Sequence, residues 1–109
     1  MSDALSAGVA ALRSRFIDRT IGQRQRFVAL RTAVADDKLS AAELEELRQL
    51  CHKLHGAGGT FGMPELSAVA GRAEECCDDL ISRPEAVANA PANLAQALDS
   101  LLDMLAKLG

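Results

Sequence analysis

The chain has 109 residues, 49% of them hydrophobic and 25% charged, with a formal net charge of −3. That length suits one domain with one core, spanning residues 1–109, and the acidic balance leaves no electrostatic footprint for nucleic acid. With no Trp or Tyr, three Phe, three Pro and no period-two β-branched runs, an all-α bundle built on aliphatic packing is expected and strands are not.

The first eight residues, Met1 to Gly8, lack the basic n-region and apolar h-region of a signal peptide. No apolar run approaches the roughly 18 residues that a membrane span needs. A cytoplasmic protein without membrane attachment is expected. Three cysteines in that context do not read as a disulfide framework.

Asp3 to Arg19 read as a first helix, with Val9, Leu12 and Phe16 on one face. Thr20-x-x-Gln23 resembles a capping box and Gly22 weakens a continuous helix, so a break near Thr20 is expected. A second helix then runs to about Ala35 and buries Phe27, Leu30 and Val34. Asp36 to Leu39 form a polar connection. Ser40 with Glu43 is a capping box ahead of a third helix, from Ala41 to about Thr60. Its apolar stripe takes Leu44, Leu47, Leu50 or Cys51, Leu54, Gly58 and Phe61. Gly62 then suits a helix end, Pro64 a first turn and Glu65 a positive N-terminus. The fourth helix runs to about Ile81, with Leu66, Ala70, Ala73, Cys77 and Leu80 inward. Glu85 to Ala90 suggest a loose turn. Pro91 opens a fifth helix striped by Leu94, Leu98, Leu101, Leu105 and Leu108. The expected architecture is an antiparallel four-helix bundle with an additional N-terminal helix.

The third helix carries both histidines of the chain. At about 100° per residue, His52 lies about 160° from Leu54 and so faces water if Leu54 faces the core. Gly56 and Gly59 follow on the solvent side, where packing gives glycine no advantage. Gly58 falls on the core side and suits close helix packing. Each glycine costs roughly 0.8–1 kcal/mol relative to Ala in a helix interior. A bare surface around an accessible imidazole gives that cost a reason.

The segment His52-Lys53-Leu54-His55-Gly56, with Gly62 beyond it, resembles the signature of histidine-containing phosphotransfer (HPt) domains, H-x-L-K-G-x-x-x-x-x-G. The family's lysine three residues after the histidine is His55 here. Leu66, Ala70 and Glu74 match the L-x-x-x-A-x-x-x-E pattern of the family's next helix, and the resemblance covers the whole chain. It implies a stand-alone phosphorelay carrier in two-component signalling. The carrier would accept a phosphoryl group from a receiver-domain aspartyl phosphate on His52 and pass it to another receiver.

On this resemblance Glu74 orients the His52 ring, and Arg48, Lys53, His55, Gly56 and Gly59 support the phosphoryl group or meet the partner. Cofactors are expected to be none, with Mg²⁺ held by the partner only. The partners implied are receiver domains of response regulators or hybrid histidine kinases, met by a monomer. Arg13, Arg15, Arg19, Arg24, Arg26 and Arg31 crowd the first third with Asp18 as their one acid. They read either as a solvated face or as a surface for an acidic receiver pocket.

The sequence has no P-loop, no G-x-G-x-x-G and no kinase-type ATP site, so self-phosphorylation is not expected. Zinc held by Cys51, His52 and His55 with Cys76 or Cys77 is disfavoured. Cys51 and His52 point about 100° apart on a helix, and no C-x-x-C is present. Metal ligands are therefore expected to be none, with Cys51 and Cys77 as small core residues. The alternative function is a helical adaptor that binds a receiver or other signalling partner without carrying phosphate.

Overall fold

Ser40 starts the helix that carries the histidines. In the computed structural model, which describes residues 2–83 and 90–108, its hydroxyl accepts from the Glu43 backbone N–H, and the Glu43 carboxylate accepts from the Ser40 backbone N–H, both at 3.1 Å. The helix, α2, spans Ala41–Thr60 after α1, Ser2–Ala35; α3 (Pro64–Ser82) and α4 (Ala90–Leu108) follow. α2 ends as its glycines predict. Gly62 takes φ +71°, Met63 N–H bonds Gly58 O at 2.7 Å and Gly62 N–H bonds Gly59 O at 3.5 Å. This is a Schellman closure, which satisfies carbonyls that the helix end leaves open. Pro64 then sits in the first turn of α3.

Neighbours run antiparallel. Arg26 meets Glu46 and the Phe16 and Phe61 rings stack at 5.4 Å, which sets α1 against α2. His52 meets Glu74 and His55 meets Ser67, which sets α2 against α3. Arg31 meets Asp99 at 2.7 Å, which sets α1 against α4. The core between them is aliphatic. Leu47, Cys51, Leu54, Leu66, Ala70, Ala73, Cys77, Leu94, Leu98, Leu101 and Leu105 are buried, with Phe27 and Leu30 from α1. Among the described residues no helix is long and apolar enough to cross a membrane.

The break expected near Thr20 is absent. α1 is a single helix through Thr20 and Gly22, so the described helices number four and the additional N-terminal helix is not a separate element. Thr20 does not cap anything. Its hydroxyl donates to Phe16 O at 2.8 Å, four residues back, and is buried in the bundle. Phe16, Thr20, Gln23, Phe27, Leu30 and Val34 keep steps of four and three straight across the expected break. Two polar residues in that row hid its continuity.

Val9 and Leu12 do not join Phe16 inside. They are 47% and 52% exposed, because α2 ends level with Phe16 and the first turns of α1 run on past it. A 34-residue helix is about 51 Å long, which accounts for the 54 Å long axis of the molecule. The turn expected over Glu85 to Ala90 lies, but for Ala90 in α4, outside the described residues.

Candidate functional site

α2 and α3 approach closely where Gly58 faces Ser67. A Cβ on Gly58 would stand 3.0 Å from Ser67 N and 3.2 Å from its Cα. The glycine on the core side is therefore what lets the two backbones meet. That approach brings α3 side chains within reach of the outward face of α2.

His52 stands on that face with its side chain 67% exposed. Its Nδ1 lies 2.7 Å from Glu74 Oε2, and the Glu74 side chain is only 16% exposed. An ionised carboxylate only accepts, so Nδ1 carries the proton. In the neutral ring the lone pair then falls to Nε2, which has no partner among the described residues. Such a ring can act as a nucleophile at Nε2 while the carboxylate supports positive charge arriving on it.

The space beside the ring is open. A Cβ on Gly56 would meet nothing within 4 Å, and one on Gly59 only Ser67 Oγ at 3.7 Å. Lys53 is exposed and makes no ion pair among the described residues. With Arg19, Phe16, Thr20, Gln23, Leu54 and Ala57 it lines a groove of about 150 Å³ between α1 and α2. Arg48 sits one turn before His52, already held by Glu45 at 2.6 Å and 4.0 Å from Asp78.

His55 lies differently from a free surface side chain. Its Nδ1 is 2.8 Å from Ser67 O, and its ring rests where a Cβ on Gly71 would be. Ser67 and Gly71 are the residues that sequence reasoning missed. An unexplained glycine in the middle of α3 was the available signal.

The arginine-rich stretch of α1 divides. Arg26 and Arg31 are engaged by Glu46 and Asp99, and Arg13 donates to Phe61 O at 3.3 Å. Arg15, Arg19 and Arg24 make no ion pair among the described residues.

Cys51 and Cys77 are buried core thiols. Burial, with neighbouring anions, pushes the Cys77 thiol up to about 12 and Cys51 in the same direction. Neither offers a thiolate for chemistry or a metal. Among the described residues no group of three or more His, Cys, Asp or Glu is placed to hold a metal ion.

The Hpt domain family model matches residues 11–108. The chain belongs to the Hpt domain family. Hpt domains are phosphotransfer carriers of two-component signalling that interact with receiver domains, and this Hpt domain has their helical bundle. No curated protein and no solved structure matches the chain significantly.

Proposed function

We propose that this Hpt domain carries its phosphoryl group on His52 Nε2, taking it from a receiver's aspartyl phosphate and giving it to a second receiver. The observation that carries the reading is the 2.7 Å contact of His52 Nδ1 with Glu74, which aims Nε2 outward beside the bare Gly56.

The step balances simply. Nε2 attacks phosphorus in line, the P–O bond to the receiver's aspartate breaks, and the aspartate leaves as carboxylate. The proton on Nδ1 stays in its bond to Glu74, whose charge offsets that of the phosphorylated ring. Reversal at another receiver returns His52 to its neutral form. Phosphoryl transfer asks mostly for position and charge neutralisation. A receiver pocket supplies Mg²⁺ and acids, and this chain supplies a fixed nucleophile. Lys53 and Arg19 add positive charge on one flank of the docking face, and Arg48 lies on the other.

Incubation with a phosphorylated receiver and Mg²⁺ tests this. The expected product is an acid-labile, base-stable phosphate on the chain, lost in His52→Gln and retained in His55→Gln. Receiver binding with no phosphate on the wild-type chain would instead favour the adaptor reading.

A further inference from the structure

Beside the candidate site, α2 and α3 are joined by a two-way clasp. His55 Nδ1 lies 2.8 Å from Ser67 O, while Ser67 Oγ donates to His55 O at 2.7 Å. A carbonyl only accepts, so Nδ1 donates whether the ring is neutral or charged. Each helix thus holds a backbone carbonyl of the other. Gly71, four residues beyond Ser67, keeps the Ser67 carbonyl within reach of the ring. A Cβ on Gly71 would stand 2.8 Å from Nδ1 and 3.0 Å from Cε1.

The clasp fixes what the core leaves loose. Leu66, Ala70 and Ala73 hold α3 in the bundle by apolar burial, which has no direction. Gly58 against Ser67 sets how near the two helices lie. The two hydrogen bonds on Ser67 set how α3 is turned and how far it slides, because a shift of about 1 Å would carry both beyond bonding range. Glu74 follows Ser67 by seven residues, about two turns, and so lies on the same face of α3. His52 precedes His55 by three, about one turn back along the antiparallel α2. The register set at Ser67 is therefore the register in which Glu74 meets His52 Nδ1 at 2.7 Å. Among the described residues the one other polar tie between α2 and α3 is Arg48 with Asp78, at 4.0 Å.

We infer that His55 and Ser67 are positioning residues for transfer at His52, their clasp seating Glu74 against the ring. The inference rests on the His52 reading above. In this role His55 acts through its Nδ1 and through Glu74, not through its Nε2. With the clasp open, Glu74 no longer stands squarely at Nδ1. The His52 ring is then released toward the Nε2–H tautomer that a free histidine side chain favours, which blocks the attacking nitrogen.

The test follows phosphorylation of the intact chain by phosphoramidate, a small donor that needs no receiver, so docking does not enter the rate. His55→Asn and His55→Gln divide the two ring nitrogens, since an Asn amide N–H stands near the place of Nδ1 and a Gln amide near that of Nε2. His55→Asn should label His52 at close to the wild-type rate. His55→Gln should still label it, but about tenfold more slowly, as when an orienting partner of a reacting group is lost. Gly71→Ala should slow labelling similarly by displacing the ring, with circular dichroism unchanged; the Asn and Gln pair decides alone if this variant does not fold. Imidazole ¹⁵N spectra should show His52 moving from the Nδ1–H toward the Nε2–H tautomer in His55→Gln. In a Glu74→Ala background His55→Gln should slow labelling no further, because its effect runs through the carboxylate. A wild-type rate in His55→Gln, rescue by Gln rather than Asn, or a loss that persists in full without Glu74 would overturn the inference while leaving His52 as acceptor. Phosphate on a residue other than His52 would overturn both.

Discussion

His52 Nδ1 lies 2.7 Å from Glu74 Oε2, and that contact fixes which nitrogen of the ring is free. Removing the carboxylate should loosen both the tautomer and the ring angle. Glu74→Ala is expected to slow transfer from a phosphorylated receiver by about 10–100-fold, the range typical when a residue that orients a reacting group is lost. Glu74→Gln, which still accepts from Nδ1 but lacks charge, should fall between. Quench-flow rates on the two variants check this. Equal rates for Glu74→Ala and wild type would show that the contact does not matter.

Two glycines of α2 should respond in opposite ways. Gly58→Ala forces a Cβ to 3.0 Å from the Ser67 backbone, which cannot move like a side-chain tip. A loss of about 1–3 kcal/mol is expected from denaturant melts. Gly56→Ala meets nothing and should gain up to about 1 kcal/mol from helix propensity. Gly56→Leu should keep that stability yet slow receiver transfer by about tenfold or more, because bulk now stands beside His52.

The continuity of α1 is testable at Gly22. Its Cβ position is empty, so Gly22→Ala should stabilise the chain by about 0.8–1 kcal/mol in thermal or urea unfolding. A hinge at Thr20 would make the same change neutral or harmful.

Thiol chemistry should separate the cysteines. Cys51 and Cys77 are buried with their thiols pushed up, chiefly by desolvation, and Cys76 is half-buried and raised for the same first cause. An aromatic disulfide reagent at pH 8 should label Cys76 alone in the native chain and all three in denaturant. Rapid native labelling of Cys51 would contradict the packing.

Acid should weaken the bundle through its surface carboxylates. Glu43 is held low by the Ser40 backbone N–H, Glu45 by Arg48, Glu46 by Arg26 and Asp99 by Arg31. Each binds its proton less tightly in the folded chain than in the unfolded one. Their stabilisation is therefore complete above the unfolded values of about 4 and is lost as pH falls through the lower folded values. Melting temperature should hold from pH 7 to pH 5 and drop below about pH 4, by less in high salt. An unchanged melting temperature at pH 3 would contradict these pairs.

The sequence revealed most where one local rule acted alone. The Ser40 and Glu43 cap, the Gly62 stop, Pro64 and the leucine stripe of α4 each follow from short-range chemistry, and each stands as read. Thr20 misled because a hydroxyl that looks like a cap also bonds back along an unbroken helix. Val9 and Leu12 misled because periodicity cannot say where the partner helices end. At the candidate site, the contact of His52 with Glu74 was readable from spacing together with a family resemblance. The partnership of His55 with Ser67 and Gly71 was not, since it depends on how closely Gly58 lets α3 approach.

Phosphorus-nitrogen coupling in the phosphorylated chain, read by NMR, bears most directly on the central claim. A single phosphoryl group on His52 is expected, with coupling through Nε2 and with Nδ1 still protonated against Glu74. A phosphoryl group on Nδ1 of that ring, or on any other side chain, would contradict it.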